Sequence, residues 1–337
     1  MRQTRLEIVL AGLMFTAAFL ASICPARAVG FQYLSVPDGP APSIDIGIWY
    51  PSEDAVVATT LGLLPQTVAV DGAVNGHGLP LVVISHGSGG WFGDYPDSAA
   101  ALAEAGFVVV APTHRGDNFK DNGRNGLAVM IDRPRQIRRV LDYMTQVWAG
   151  HERINPQKIG FFGFSAGGTT GLILLGATPD WSLFAPHCAA EPDEPVCHEG
   201  VATALSRPKA ASLPQETWQR DVRIKAAVLA SPGFSFAFGP QSLGRIEAPL
   251  QLWGAAGDRV VPFASNVAYL QRYLPPTVNV HDVADAGHYA FLPPCSDDQR
   301  AKHPDICTDS AAFDRQAFRK SFNQALVAFF HVHLQAE

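Results

Sequence analysis

The sequence predicts an α/β fold, with a mostly parallel central sheet and helices on both of its faces. Two observations support this prediction. Apolar runs, each of a length suited to one buried strand, recur at 79–85, 106–111, 159–162, 224–231 and 249–254. Helical segments separate several of these runs, and the segment 132–148 repeats its apolar residues with a period of 3.6. Because a strand that is buried on both faces is apolar throughout, this alternation is typical of a parallel sheet between two helical layers.

The first elements of the chain are predicted from strand and turn patterns. Residues 31–36 and 44–50 alternate loosely around a Pro-Asp-Gly-Pro turn, which indicates a hairpin at the edge of the sheet. Residues 51–78 are expected to form loops because prolines, glycines, an Asp-Gly and an Asn-Gly interrupt them. A short Ala-rich helix is expected at 98–105.

The second half of the chain continues the alternation. We expect a helix at 262–274, a last strand at 277–283 and a closing amphipathic helix within 311–334. Residues 177–221 differ from the rest because they are rich in proline and acidic residues and show no clear period. We interpret them as an insertion over the functional site of a single domain that comprises residues 29–337.

Composition limits the possible partners. The chain has 337 residues, of which 47% are hydrophobic and 17% charged, and this is enough apolar material for the core of one large domain. The formal net charge is −6, and no run of Lys or Arg provides a local basic face. Since binding to nucleic acid phosphates requires such a face, nucleic acid is not an expected partner.

The first 28 residues have the pattern of a secretory signal peptide. Two arginines precede an apolar run at 8–23, and Ala-Arg-Ala at 26–28 forms an A-x-A cleavage site. We therefore expect a periplasmic or secreted protein that is cleaved near Ala28 and has no stable membrane span in its mature chain. One alternative is an uncleaved anchor, although the run is short of the roughly 20 residues that a span prefers. The other is lipidation of Cys24, which the bulky residue before it disfavours.

Four cysteines follow the predicted signal peptide: Cys188, Cys197, Cys295 and Cys307. In an oxidising compartment, an even set of four predicts two disulfides, for which three connectivities exist. Proximity along the chain favours the pairs 188–197 and 295–307. A metal site that includes His187, His198 or His303 is the alternative, but the spacings match no common zinc pattern, so no metal is expected.

The pentapeptide Gly-Phe-Ser-Ala-Gly at 163–167 has the context of a nucleophile elbow. It follows the apolar run 159–162 and precedes an apolar helical run at 172–175. The glycines have a steric purpose, because a side chain at either position would strike the neighbouring strand or helix in so tight a turn. Ser165 is therefore the predicted nucleophile. The alternative is a glycine-rich turn in which the serine is incidental.

A serine nucleophile needs a base to accept its proton and an acid to orient that base. Asp258 follows the strand predicted at 249–254, and His288 follows the last predicted strand, which gives the chain order serine, acid, histidine. Asp258 is the predicted acid and His288 the predicted base. Asp282 and Asp285 are alternative acids because they lie close to His288 in sequence, and Asp258 has an alternative role as a helix N-cap.

An oxyanion hole requires two backbone N–H groups that point to the developing negative charge. Ala166, the residue after the serine, is the first predicted donor. The second is predicted in the glycine-rich loop 86–90, where Ser88 is the first choice and Gly87 the next. His86 is expected to order this loop by hydrogen bonding. The loop lacks both the lysine of a P-loop and the spacing of a dinucleotide fingerprint, so no nucleotide and no other cofactor is expected.

These motifs together resemble the α/β-hydrolase superfamily: His-Gly-Ser-Gly-Gly at 86–90, G-x-S-x-G at 163–167, Gly257-Asp258 and Gly287-His288. Within it, the chain resembles the bacterial branch of predicted dienelactone hydrolases akin to platelet-activating-factor acetylhydrolase, and the Asp-Arg-Pro at 132–134 adds to this likeness. The resemblance covers residues 31–335 apart from the insertion and implies a metal-independent serine ester hydrolase. True dienelactone hydrolases use a cysteine nucleophile, so Ser165 favours ordinary carboxylic esters. Phe164 occupies a position where many relatives have histidine.

The sequence thus predicts a secreted or periplasmic serine carboxylesterase that acts on a small-molecule or lipid-like ester through an acyl-enzyme. A serine peptidase or amidase and an acyltransferase would use the same triad, and a non-enzymatic binding protein is a further alternative. Arg115 and Asp117 are expected at the mouth of the site. The aromatic residues that could line an apolar pocket are Trp91, Phe92, Tyr95, Trp181, Phe184, Phe234, Phe236 and Phe238.

Overall fold

The computed structural model describes residues 28–62, 64–123, 126–198 and 218–335. The predicted signal peptide, apart from Ala28, and residues 199–217 of the predicted insertion lie outside the described residues. The strands are β1 (Ala28–Asp38), β2 (Ala41–Ser52), β3 (Val57–Leu61), β4 (Leu64–Val70), β5 (Leu79–Ser85), β6 (Val108–Pro112), β7 (Ile154–Phe164), β8 (Ile224–Ala230), β9 (Leu250–Ala255) and β10 (Asn279–Val283).

Within the described residues, these ten strands form one sheet in the spatial order β10-β9-β8-β7-β5-β6-β2-β1-β4-β3. Neighbouring strands from β10 to β6 run parallel, whereas β2 is antiparallel to both β6 and β1. The predicted α/β fold with a mostly parallel sheet is confirmed. The carboxyl ends of the parallel strands therefore meet along one edge, where folds of this kind bind ligands.

The helices of the described residues cover both faces of the sheet. They are α1 (Pro96–Glu104), α2 (Gly126–Gln146), α3 (Ala166–Leu174), α4 (Phe184–Ala190), α5 (Pro240–Leu243), α6 (Val267–Tyr273), α7 (Asp297–Lys302), α8 (Pro304–Cys307) and α9 (Arg315–Phe330). Buried residues of α2, α3 and α6 pack against one face of the sheet, and those of α1 and α9 pack against the other. Two apolar layers thus hold the sheet in place, as expected when a sheet is buried on both sides.

The prediction for residues 51–78 is wrong. Strands β3 and β4 lie within this range and form an antiparallel hairpin in the register Val57↔Val68 to Leu61↔Leu64. Strand β4 pairs with β1, so this hairpin and not the predicted one ends the sheet. The alternation of the two strands was obscured by Pro65, which a strand tolerates near its start.

The predicted start of α2 is also wrong. The helix begins at Gly126, and Pro134 lies inside it and does not open it. A proline removes one backbone hydrogen bond from a helix. The helix continues because Met130, Ile137 and Val140 are buried against the sheet on either side of that position.

The C-terminal half differs from the prediction in smaller ways. Helix α6 begins five residues later than expected, because the segment before it forms turns in which the Asn266 side-chain amide donates to the Pro262 carbonyl. Helices α7 and α8 were not predicted from the sequence. In the described part of the chain, no helix is both long enough and apolar enough to cross a membrane.

Two disulfides join cysteines that are close in sequence. Cys188 is bonded to Cys197, and Cys295 is bonded to Cys307. The first lies in the described part of the predicted insertion, where it joins the second half of α4 to the turn that ends at Cys197. The second joins the region before α7 to the end of α8. These are the pairs that proximity along the chain favoured.

Candidate active site

Ser165 lies between β7 and α3, at the carboxyl edge of the sheet. Its backbone has a φ of 53° and a ψ of −116°, a conformation that L-residues rarely adopt. The two glycines of the pentapeptide permit this turn. A Cβ on Gly163 would lie 2.3 Å from the Gly167 carbonyl oxygen, and a Cβ on Gly167 would lie 2.0 Å from the Ser85 carbonyl oxygen. Close packing of β5, β7 and α3 thus holds the serine backbone in a strained geometry.

A chain of hydrogen bonds connects Ser165 with His288 and Asp258. The Oγ atom of Ser165 is 3.1 Å from Nε2 of His288, and Nδ1 of His288 is 2.7 Å from Oδ2 of Asp258. His288 and Asp258 are 123 and 93 residues from the serine along the chain, yet all three side chains are at least nine-tenths buried. The structure therefore brings together the three residues that the sequence selected for a triad.

The second carboxylate oxygen of Asp258 is fixed by the loop that follows β9. Its Oδ1 accepts hydrogen bonds from the N–H groups of Val260 at 2.9 Å and Val261 at 2.7 Å. The carboxylate thus holds the start of the next segment as well as the imidazole. The alternative acids do not take this place, because Asp282 is exposed on β10 and Asp285 is exposed in the turn after it.

The glycine-rich loop after β5 is anchored by Asp117, which was expected at the mouth of the site. Oδ1 of Asp117 accepts hydrogen bonds from Oγ of Ser88 at 2.6 Å and from the N–H of Gly89 at 3.0 Å. The side chain is buried, and it lies under the loop. Asp117 therefore determines the path of the backbone at Ser88.

Arg133 holds the same loop from the side of α2. It donates to Oδ2 of Asp117 through Nε at 2.9 Å, to the carbonyl of His86 at 2.5 Å and to the carbonyl of Gly87 at 2.9 Å. Only 1% of this arginine is exposed. Burial alone raises the pKa of Asp117, but the Arg133 charge and the hydrogen bonds from Ser88 and Gly89 outweigh it, so the pKa lies below its ordinary value.

Two buried histidines support the loop in their neutral forms. The backbone N–H of His114 donates to Nε2 of His86 at 2.9 Å, so the ring of His86 carries its proton on Nδ1, which donates to the Gly87 carbonyl at 2.6 Å. Burial, and after it the Arg133 charge, lowers the pKa of His86 to about 3. Burial and the same charge hold the pKa of His114 well below its ordinary value. His86 thus makes the ordering hydrogen bonds that were expected of it.

A cavity of about 360 Å³ opens in front of Ser165. Its walls are mostly apolar, and Ser88 and Ala166 lie beside the serine at its inner end. Of the aromatic residues that were expected to line a pocket, Phe234 and Phe236 do so. The volume is at the small end of the range for ligand pockets, which is about 300–1,000 Å³.

The other expected pocket residues lie elsewhere. Trp91, Phe92 and Arg115 line a separate cavity, and Arg115 forms an ion pair with Asp38. Tyr95 is in the core, where its ring contacts Phe162 and Phe164.

The remaining aromatic candidates do not line the cavity at Ser165 and are packed inside the protein. Phe184 is 1% exposed and its ring contacts Phe234 and Phe236. Trp181 packs on Phe184, and Phe238 is fully buried in the core. Phe184 thus supports the two phenylalanines that line the cavity.

Sequence reasoning missed two charged residues of the site. The Asp-Arg-Pro motif at 132–134 does not by itself indicate a role for Arg133, and no local pattern distinguishes Glu194 from its acidic neighbours. Both line the cavity at Ser165. A signal for Arg133 was present, since an arginine in the middle of an apolar helical face needs a buried partner. Among the described residues, no group of three or more His, Cys, Asp or Glu side chains has the arrangement of a metal site.

Comparison with known proteins supports the architecture. No protein-family model and no curated protein sequence matches the chain. Among solved structures, the chain is similar to the ferulic acid esterase from Streptomyces cinnamoneus, with a TM-score of 0.63 and 18% sequence identity. The similarity covers 94% of this chain and 93% of that protein. At this level of identity the likeness shows an α/β-hydrolase-like fold.

Proposed function

We propose that this chain is a serine hydrolase that cleaves carboxylic esters through an acyl-enzyme. The observation that carries the proposal is the hydrogen-bonded series of Ser165, His288 and Asp258, with contacts of 3.1 and 2.7 Å. A nucleophile, a base within hydrogen-bonding distance of it and an acid that orients the base are the three parts that serine acyl transfer requires. The ester-cleaving name of the structural neighbour agrees with this assignment.

In this mechanism, Oγ of Ser165 attacks the carbonyl carbon of the ester while Nε2 of His288 accepts the hydroxyl proton. Asp258 stabilises the imidazolium and keeps its ring in the required orientation. The tetrahedral intermediate then collapses, the bond to the alcohol oxygen breaks, and His288 returns the proton to the leaving alcohol. A water molecule, activated by the same histidine, releases the acid from Ser165 and restores the enzyme.

We propose that the N–H groups of Ala166 and Ser88 stabilise the oxyanion. Ala166 is the first residue of α3, so its N–H lies at the positive end of the helix dipole. In the glycine-rich loop, the N–H of Gly89 already donates to Asp117, and that of Gly90 donates to the carbonyl of Gly87. This favours Ser88, whose residue borders the cavity beside Ser165, over the later positions of the loop.

The cavity favours a substrate with a small or medium apolar group on one side of the ester bond. About 360 Å³ with mostly apolar walls accommodates an alkyl or aryl group and excludes a large polar one. From the sequence motifs alone, we also propose that the chain belongs to the dienelactone hydrolase-like branch. Ser165 in place of cysteine favours ordinary esters within that branch.

We further propose that the protein is exported and acts as one domain. The signal-peptide pattern of residues 1–28 and the two disulfides both suit a periplasmic or secreted protein. Residues 29–337 then form one α/β-hydrolase domain with an insertion at 177–221.

Hydrolysis of p-nitrophenyl esters from acetate to palmitate tests this function. The protein without its signal peptide should hydrolyse the shorter esters, and Ser165→Ala should reduce kcat by about a thousandfold or more. A fluorophosphonate should label the unmodified protein at Ser165, as detected by mass spectrometry of peptides, and should not label the variant.

Each other outcome selects a different conclusion. Full activity in Ser165→Ala contradicts the mechanism. Labelling without ester turnover indicates a peptidase, an amidase or an acyltransferase, which peptide anilides and added alcohols as acyl acceptors then distinguish. A folded protein with neither turnover nor labelling contradicts the proposed function.

A further inference from the structure

The disulfide Cys188–Cys197 closes a short loop, residues 188–197, which we call the strap. It begins within α4 and ends in a short 3-10 turn, Pro195–Cys197. Most of the strap is exposed, as is typical of surface loops. Glu194 is the exception, because only 9% of it is exposed.

The carboxylate of Glu194 fastens the strap to the body of the protein. Its Oε1 accepts a hydrogen bond from Oγ of Ser265, which lies just before α6 in the segment that follows Asp258. Its Oε2 is 2.9 Å from Nε2 of His187, and the ring of His187 stacks on Phe236 with the ring centroids 3.5 Å apart. Both carboxylate oxygens therefore have partners, as a buried carboxylate requires.

The strap separates two spaces. Glu194 and Pro195, together with Phe236 and Pro262, line the cavity of about 360 Å³ at Ser165. The same four residues line a second, more open cleft of about 730 Å³ on the other side. His187 and Ser265, which hold the carboxylate, border this outer cleft and not the inner cavity. The strap is thus one wall between the two spaces. The contacts of the Glu194 carboxylate with His187 and Ser265 lie on the outer side of this wall.

We propose that the strap determines substrate specificity by limiting the length of the apolar group that the cavity at Ser165 accepts. This inference rests on the proposed ester hydrolysis and deepens it. With the strap fastened, a substrate group that outgrows the inner cavity meets Pro195. When Glu194 is released, the wall is free to move and the group can extend into the outer cleft.

The physical basis is a wall of low intrinsic stability that is held by the disulfide, by the contacts of Glu194 and by the packing of Val196 on the cluster of Phe184 and Phe236. A segment with few buried apolar side chains opens locally at a small free-energy cost unless it is tied down. The disulfide restricts the conformations of the open strap, and the Glu194 contacts favour the closed one. Loss of either restraint should change which substrates fit while the residues around Ser165 stay in place.

The test compares chain-length profiles of variants and matched controls. Glu194→Ala removes the carboxylate contacts, and Cys188→Ala/Cys197→Ala removes the covalent closure. Glu191→Ala, an exposed glutamate of the same strap, and Cys295→Ala/Cys307→Ala, the other disulfide, are the controls. The measured quantity is the ratio of kcat/KM for p-nitrophenyl laurate to that for p-nitrophenyl acetate, together with labelling rates at Ser165 by short-chain and long-chain alkyl fluorophosphonates.

We expect Glu194→Ala and the strap cysteine variant to raise this ratio by about tenfold, and the controls to leave it unchanged. A mere loss of stability lowers both kcat/KM values together and leaves the ratio constant. Ser265→Ala should give part of the Glu194→Ala effect and add little to it, because the two residues share one contact.

An unchanged ratio in both strap variants, with acetate turnover retained, overturns the proposal while the proposed function stands. An equal change in both disulfide variants overturns it as well, since the second disulfide does not line the cavity. If the unmodified protein shows neither turnover nor labelling, the proposed function is wrong and the strap proposal fails with it.

Discussion

The two sides of the cavity at Ser165 are held by different forces. On the inner side, Ser165 and the glycine-rich loop lie at the ends of buried strands, and backbone atoms are so close that a Cβ on Gly167 would be 2.0 Å from a carbonyl oxygen. On the outer side, the strap is an exposed loop with one disulfide and one buried carboxylate. The comparison indicates that the groups proposed for chemistry are fixed by close backbone packing and by the buried pair Asp117 and Arg133, whereas the wall proposed to select substrates is fixed by a few separable contacts.

The largest effect that would test this division is expected on the inner side, at Asp258. Asp258→Asn should reduce kcat about ten-thousandfold, because an amide favours the wrong tautomer of His288. Thermal unfolding should change little, since the amide oxygen can still accept from Val260 and Val261. Asp282→Asn is the matched control, because this aspartate is exposed on the neighbouring strand. A greater loss in Asp282→Asn than in Asp258→Asn would reassign the acid.

A smaller effect on the inner side is expected at Asp117. Asp117→Asn weakens the ion pair with Arg133 and the hold on Ser88, so the N–H proposed for the oxyanion loses its fixed direction. We expect kcat to fall by about tenfold to a hundredfold with little change in KM, which is less than the loss when an oxyanion donor is removed outright. Ser88→Ala keeps the backbone N–H and should lower kcat by less than Asp117→Asn does. A change confined to KM would contradict a role in positioning the oxyanion donor.

A third effect on the inner side concerns the dependence of stability on pH. The pKa values of His86 and His114 are lower in the folded state than in the unfolded state, so the unfolded chain binds more protons at acidic pH. The stability that the neutral form of His86 contributes is therefore fully present above the ordinary value of 6.5 and is lost as the pH decreases towards about 3. His86 contributes a slope of up to about 1.4 kcal/mol per pH unit within that window, and His114 contributes a slope of the same sign below the ordinary value.

Urea unfolding at several pH values measures this slope. His114→Gln should reduce it. The lowered pKa of Asp117 adds stability above its ordinary range that is lost only at lower pH, so it does not mimic the histidine effect. A slope that is equal in His114→Gln and the unmodified protein would contradict the assignment of neutral histidines.

Much of the fold could be predicted because the central strands β5, β6 and β9 are short, largely apolar and buried on both faces. The strands around the elbow need no long-range information, since their composition alone indicates their burial. Strands β3 and β4 escaped prediction because they are half-exposed, and Pro65 obscures the alternation of β4. The start of α2 escaped it because Pro134 resembles a helix start, and only packing on the sheet carries the helix through.

In the candidate site, too, only the residues that a local sequence pattern indicates could be predicted. Ser165, Asp258 and His288 could be selected because each follows a predicted strand, and parallel strands bring their carboxyl ends to one edge. The contact of Glu194 with Ser265 spans 71 residues and joins two loops, so no local pattern indicates it. The pairing of Arg133 with Asp117 likewise depends on how α2 lies over the loop after β6.

The short spacing of the disulfides has a consequence for how the protein is prepared. Each bond closes a loop within its own segment, with separations of 9 and 12 residues, and none of the ten strands in the described part of the chain contains a cysteine. Recombinant material made in a reducing cytoplasm should therefore still assemble its sheet and its elbow. According to the two proposals, such material would be an active enzyme that accepts longer esters than the exported protein does. Its measured substrate profile would therefore depend on the expression host.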